Sequence, residues 1–495
     1  MRNPAPWQTK YDRMLMMALL FGLVGQYLLV GPTAGLSVPV FILGFYALFF
    51  YAIKGRTGGF EKWKGQFSSG WLLFLPITLL ALTYALFANE FFRIWNGLAL
   101  ILLIAAQTML LARGGSQPWH RLKFYREMAA QLLSAPLSHI KVPFSLANQR
   151  LRSNDRTNST RVHIRKIGFG LLLAAPLLIV VVTLLASADL IFSSWLNRIP
   201  ELLHLGVVGP GIKRLVIGLL IALYVFCYIW SLLFRKAAQQ PQIEEPAVPK
   251  ERYAFDFLSA ATLLVCVNAV YVLFAAIQFS YLFGAAEGLL PEGSAYAEYA
   301  RRGFAELVII AMINIGLLLI GLHMIRPAGR VAEIARKALL TLLVSCTGVM
   351  LVSAYTRLSL YEEAYGYTQS RLLVHGFMIF LGVLMAVAIV RIWKSRFSLA
   401  KVYICLAIVA YVIMNYMNID ARIAENNIAR YERGGEIDLH YLSTLSADAA
   451  PALIGLKANY PELEGLEQII EEWRNEARTE TDWQSWNYSL RRLNR

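Results

Sequence analysis

Charge is scarce in this chain. Only 16% of its 495 residues are Asp, Glu, Lys or Arg, where a soluble globular fold carries about a quarter. Acidic groups are almost missing from the centres of its long apolar runs, which argues against a transporter driven by ions on buried carboxylates. Cysteine is nearly absent too. Cys227, Cys266, Cys346 and Cys405 all fall inside apolar runs, so neither a disulfide framework nor a cysteine zinc site is expected. The seven histidines are scattered without metal-ligand spacing, and no metal or cofactor is expected. The first apolar run is not followed by a small-residue cleavage pattern, and reads as a retained anchor rather than a signal peptide.

What the chain has is hydrophobicity in blocks. Hydrophobic residues make up 57%, and runs of about 18 to 20 recur, long enough to cross a hydrocarbon layer roughly 30 Å thick. The pattern predicts an all-α polytopic membrane protein with eleven spans, at residues 14–30, 38–53, 71–88, 94–111, 167–185, 215–233, 257–282, 304–322, 338–352, 372–390 and 402–417. The lipid bilayer is the first partner this implies.

Basic residues set the expected orientation. Of the 47 Lys and Arg, 30 fall at the N-terminus and on alternate loops, 8 on the opposite loops and 9 in the tail. The crowded side resists translocation and is cytoplasmic, so the N-terminus is expected inside and the C-terminus outside. The net charge of +15 then answers to anionic lipid rather than nucleic acid.

Six regions follow: four spans in 1–111, a basic loop at 112–166, two spans in 167–233, a linker at 234–256, five spans in 257–417 and a tail at 418–495. In the basic loop Trp119, Leu122, Tyr125, Ala129, Leu132 and Leu133 recur at helical spacing opposite His120, Arg121, Lys123, Arg126 and Glu127. That is a basic amphipathic helix suited to the inner leaflet. The linker is Pro-rich and polar. The tail holds 14 acidic and 9 basic residues and reads as a small extracytoplasmic all-helical domain. In it Gly434-Gly435 ends one helix, Asp438 and Ser446 or Asp448 cap others, and Pro451 sits in a first turn.

Two apparent motifs fail. GVVGPGIKR (residues 206–214) has an extra residue before Lys213, and Arg214 where a phosphate loop needs Ser or Thr. The sequence SLAK (residues 398–401) lacks the companion motifs of serine enzymes.

Three polar stretches remain, all at the outer ends of spans. Asp189 follows the fifth span. Glu298, Arg302 and Glu306 are spaced four apart into the eighth, as an ion-pair ladder would be. AYTRLSLYEEAYGYTQSR, residues 354–371, is expected as an interfacial segment joining the ninth and tenth spans. It holds Arg357, Glu362, Glu363, Tyr365 and Arg371. Tyrosines at an interface are ordinary belt residues, and paired charges there stitch helix ends together. Three such clusters on one side also point to a shared polar site. Within the membrane Asn268 and Asn314, on consecutive antiparallel spans, are placed to hydrogen-bond across the pair. Gln278 and His375 are weaker candidates of the same kind.

LLASADLIF, YAEYARRGFAEL, SAYTRLSLYEEAYGYTQSRL and the tail's NIDARIAENNIARY and DLHYLSTLSADAAPAL resemble the bacterial multi-pass membrane family catalogued as domain of unknown function 4173. The resemblance runs from the fifth span through the tail. It implies a bacterial integral membrane protein without an established activity, cofactor or catalytic residue.

The reading these residues favour is a non-enzymatic plasma-membrane protein. It would bind an envelope lipid, an anionic solute or a protein partner on its outer face, for transport or signalling. Arg302, Arg357 and Arg371 would hold an anionic group there. The alternatives are a membrane-embedded transferase for a lipid-linked substrate, with Asp189, Glu362 or Glu363 as general base, and a scaffold that recruits a partner through the tail.

Overall fold

A computed structural model describes residues 6–57, 68–113, 118–153, 181–182, 185, 189, 209–234, 255–284, 304–325, 329–394 and 397–493. Among these residues there are seventeen α-helices and no β-strand beyond one isolated bridge, Phe255 to Ile325. In chain order they are α1 (Pro6–Leu29), α2 (Ser37–Thr57), α3 (Phe74–Leu86), α4 (Glu90–Arg113), α5 (Leu122–Ser138), α6 (Lys141–Ser153), α7 (Gly209–Phe234), α8 (Phe257–Gly284) and α9 (Phe304–His323). Then follow α10 (Arg330–Tyr365), α11 (Gln369–Trp393), α12 (Leu399–Tyr416), α13 (Ile419–Glu432), α14 (Leu439–Ser443), α15 (Ala450–Asn459), α16 (Leu466–Thr479) and α17 (Tyr488–Arg492).

Ten of the described helical segments are long and apolar enough to cross a membrane: α1, α2, α3 with the short 3-10 turn before it, α4, and α7 through α12. The chain is a polytopic all-α integral membrane protein. The eleventh expected span, 167–185, lies outside the described residues except at its end.

The chain divides into two compact units. The first comprises residues 1–86, 93–238 and 477–491. Its helices α1 and α7 approach closely at Gly22 and Gly218, where a Cβ on Gly218 would lie 3.0 Å from the Gly22 carbonyl oxygen. Small residues permit such approach in lipid, where dispersion rather than water expulsion drives association. Side-chain hydrogen bonds add to it. Gln107 Nε2 donates to Gly70 O at 3.1 Å, and the Thr108 and Tyr228 hydroxyls pair at 2.7 Å. The basic-loop helix α5 buries Phe124, Met128 and Gln131 and exposes Leu122, Leu133 and Leu137. Gln131 Nε2 reaches the Tyr228 carbonyl on α7 at 3.4 Å, so α5 is a packed element with a second apolar stripe left outward. Between α2, α4, α5 and α7 an apolar cavity of about 410 Å³ is lined by Phe41, Phe45, Ile101, Leu220 and Tyr224 among others.

The second unit comprises residues 87–92, 239–476 and 492–495. Helix α10 is its axis. Buried Leu340, Leu343, Met350, Ala354 and Leu358 pack with Leu264, Ala311, Met378, Leu381 and Met385 from α8, α9 and α11. Asn268 and Asn314 do not bond to each other as expected. Asn268 Nδ2 donates to Leu339 O at 3.0 Å, and Asn314 donates to Thr347 Oγ1 at 2.8 Å while accepting from Tyr271 at 2.9 Å. The third helix, α10, supplies partners that a two-helix reading omits. Each bond is worth about 1 kcal/mol in the membrane.

A second difference concerns α10 itself. Residues 354–371 were expected as a segment between spans, but the helix runs on to Tyr365, 36 residues in all. At 1.5 Å per residue that is about 54 Å, against roughly 30 Å of hydrocarbon. The fall in hydropathy after residue 352 marks the end of the apolar stretch and not of the helix. Gly366 ends it, at φ +84° and ψ 168°, a region open essentially to glycine that costs other residues about 1–3 kcal/mol.

Candidate functional site

The head of the α10–α11 hairpin concentrates buried polar groups. Glu362 lies in the last turn of α10 and is 2% exposed, and His375 on α11 is 8% exposed. His375 Nδ1 stands 3.1 Å from Glu362 Oε2. On the other side of the ring, Nε2 lies 3.3 Å from Ser359 Oγ and 3.4 Å from the Tyr355 carbonyl oxygen. Ser359 Oγ also donates to that carbonyl at 3.0 Å. Glu362 Oε1 is buried without a hydrogen-bond partner among the described residues. Ionisable groups so deeply buried are expensive, and a pair near a bilayer is a functional candidate on that ground.

Above the pair, α10 leaves its last carbonyls to be satisfied. Gly366 N–H returns to Glu362 O at 2.8 Å. Arg371 Nη1 donates to Tyr365 O at 3.4 Å and to Gly366 O, and its guanidinium lies 4.3 Å over the Tyr361 ring. Arg430, from α13, donates to Ala364 O at 3.1 Å and also to Glu436 O. Two cations at a helix C-terminus complement its dipole.

The residues after Met417 close over this turn. Asn418, at φ +49°, bends the chain out of α12 and accepts from Ala421 N–H at 3.4 Å. Helix α13 then presents Asn427, whose Oδ1 accepts Tyr367 N–H at 2.9 Å and whose Nδ2 donates to Tyr367 O at 2.9 Å. Gln369 N–H donates to the Tyr441 hydroxyl at 2.8 Å. Burial pushes the Tyr367 phenol above its ordinary value, helped by the charges of Glu362 and Glu363. Burial likewise raises Tyr441. Gly366 has no room for a side chain, since a Cβ there would meet Asn427 Oδ1 at 2.7 Å.

A second turn is held in the same unit. Asp448 accepts from Ala88 N–H at 2.9 Å and Asn89 N–H at 3.2 Å, filling the amides that precede α4. Asp420 accepts from Ser446 N–H at 3.0 Å and from its hydroxyl at 2.5 Å. Asp438 caps α14 through Tyr441 N–H at 2.9 Å, and Pro451 stands in the first turn of α15. Trp473 is buried here and Trp483 is exposed.

Glu362 is at the centre, Arg371 in the helix cap, Arg357 half-buried one turn below, and Glu363 and Tyr365 are exposed. Glu306 and Asp189 are exposed. Glu298 and Arg302 lie outside the described residues, and with them the ladder they were expected to form. The sequence marks His375 as a lesser candidate within a span, and nothing in it pairs the ring with Glu362. Ser359, Asn427, Arg430 and Asp448 were missed as site residues, although the last three fall in the motif-rich tail.

The family model described as Domain of unknown function (DUF4153) matches residues 74–456, most of the chain, and the chain belongs to that family. The resemblance to the family numbered 4173 gains no support from this match. The coarser expectation, a multi-pass membrane protein of unknown function, holds. No curated protein and no solved structure matches the chain.

Proposed function

We propose that this DUF4153 membrane protein binds an envelope lipid, an anionic solute or a protein partner at the extracytoplasmic head of the α10–α11 hairpin, for transport or signalling. The observation that carries the reading is the buried Glu362–His375 pair, with one carboxylate oxygen left as a free acceptor. A ligand bearing hydroxyl or amine donors answers Oε1, and Arg302 and Arg357 supply charge for an anionic group. Arg371 contributes by holding the turn, since its guanidinium is committed to the helix cap. The excess of basic residues on the opposite loops supports an outer location for this head and for the tail, in a bacterial plasma membrane.

The test is thermal stability of the full-length protein in detergent, with anionic phospholipids, lipid-linked sugars and small anions. A ligand at a hundredfold its Kd stabilises by about 2.7 kcal/mol, and Arg302→Ala and Arg357→Ala should remove the shift. Equal shifts in wild type and both variants, or none with any ligand, would overturn the reading.

One observation favours the transferase as a second reading. Ser359 Oγ, His375 Nε2, His375 Nδ1 and Glu362 Oε2 follow one another at 3.3 Å and 3.1 Å across the ring. That is the order of nucleophile, base and orienting carboxylate in covalent transfer. Glu362 would then orient His375 rather than act as the base itself. Glu362→Gln should abolish turnover of a lipid-linked substrate by an enzyme, and only weaken binding by a receptor.

A further inference from the structure

The polar contacts around His375 constrain how many protons the site holds. The Tyr355 carbonyl has none to give, yet it lies 3.0 Å from Ser359 Oγ and 3.4 Å from His375 Nε2. Ser359 has one hydroxyl proton, and the carbonyl is its nearer acceptor. A bare Nε2 would direct its lone pair at a carbonyl oxygen and compete for that single proton. A protonated Nε2 resolves the set, because it donates to Ser359 Oγ at 3.3 Å while Ser359 donates to the carbonyl.

The opposite face of the ring then needs a second proton. Nδ1 stands 3.1 Å from Glu362 Oε2, and with Nε2 protonated that contact requires a hydrogen on Nδ1 or on the carboxyl group. Either placement leaves the pair with no net charge. Without that proton a carboxylate would face a lone pair where the Glu362 side chain is 3% exposed and the His375 side chain 10%, which is strongly unfavourable. We propose that Glu362 and His375 together form a single proton-binding site at the head of the hairpin, so that the protein's function is linked to proton uptake and release there.

The surroundings suit one exchangeable proton. On α10 the charged neighbours are Arg357 and exposed Glu363, with Tyr355 and Tyr361 beside them, and on α11 the neighbour is Arg371, held by carbonyls and the Tyr361 ring. Helix α8 carries no charged residue, and its Tyr271 is bonded to Asn314. Helix α9 offers Glu306, exposed in its first turn, and His323 in its last. Lys401, the charged residue of α12, is in that helix's first turn, away from the turn to α13. From α13 come Asp420, bonded to Ser446, and Arg430, bonded to carbonyls, with Arg422, Glu425 and Glu432 on the same helix. The Gly366 turn adds Tyr367. The uncommitted acceptor is Glu362 Oε1, where a ligand donor or a cation would compensate the charge left when the proton departs.

The decisive experiment is nitrogen NMR of histidine-labelled full-length protein in lipid bilayers, from about pH 5 to about pH 9. His375→Gln identifies the resonance, and Ser359→Ala, which perturbs the same ring, identifies it independently. The expected result at about pH 7 is a protonated Nε2, with the second proton on Nδ1 or seen as a protonated-carboxyl infrared band that Glu362→Gln removes. Raising the pH should remove a proton from this pair, read on the His375 ring signal itself. A bare Nε2 opposite a protonated Nδ1 would overturn the proposal and favour the transferase reading, as the base then stands ready for the Ser359 proton. The ring can fail this test whether or not any ligand stabilises the protein, so the two readings fail separately.

Discussion

Asn427 holds both backbone groups of Tyr367, accepting its N–H and donating to its carbonyl, each at 2.9 Å. A primary amide makes this two-point contact because it carries donor and acceptor side by side. The turn between α10 and α11 is thereby fixed by a helix that begins 52 residues beyond Tyr367, at Ile419.

Replacing that amide tests how far the turn depends on it. Asn427→Ala leaves the half-buried N–H and carbonyl of Tyr367 without this partner, at about 1 kcal/mol each, and should lower the melting temperature in detergent by several degrees. Asn427→Asp should be at least as damaging, since an acceptor would then face the Tyr367 carbonyl. Hydrogen exchange should quicken at residues 366–369 in both.

Gly366→Ala should be destabilising by two separate routes. The residue sits at φ +84° and ψ 168°, which costs alanine about 1–3 kcal/mol. Its new methyl would also press on Asn427 Oδ1 at 2.7 Å. Combining Gly366→Ala with Asn427→Ala should therefore cost less than the sum of the single changes, which a double-mutant cycle on thermal melting measures.

Asp448 holds the amides that precede α4 and Asp438 caps α14, but only Asp448 is buried. Asp448→Ala strands the amides of Ala88 and Asn89 and should cost about 3 kcal/mol, charged hydrogen bonds being the stronger kind. Asp438→Ala removes an exposed cap and should cost about 1 kcal/mol. A melting difference of the opposite order would refute this ranking.

Alkali should loosen the clasp. Burial raises the phenols of Tyr367 and Tyr441 in the folded state, so the folded chain retains those protons where an unfolded one sheds them. Their contribution is complete below about pH 10, the unfolded value, and is lost as pH climbs through the higher folded values. Protease susceptibility of residues 418–476 should therefore rise above about pH 10, and less steeply in Tyr441→Phe.

The spans were legible because crossing a membrane demands only length and apolarity, both of which can be read directly. Tail punctuation was legible for a related reason: Gly434, Asp438 and Pro451 act on their own helix within a few residues. Partners were not. Glu362 meets a histidine 13 positions on, and Tyr367 meets an asparagine 60 positions on, and nothing local to either residue names the other. Asn268 and Asn314 show the same limit: expected to meet each other, each found a partner on α10, and Asn314 a second in Tyr271 of α8. The course of α10 past residue 352 misled for a different reason, since polarity can end a span without ending a helix.

The bond from Asp448 to Ala88 spans 360 residues, and that separation is also an interval of time. A ribosome adding about 5–20 residues per second needs on the order of tens of seconds to deliver the carboxylate after the amides it serves. For that interval the start of α4 must rest on water, lipid headgroups or a chaperone. A chain stalled before residue 448 is thus chemically marked as unfinished, with donors showing at a turn that the completed protein keeps closed.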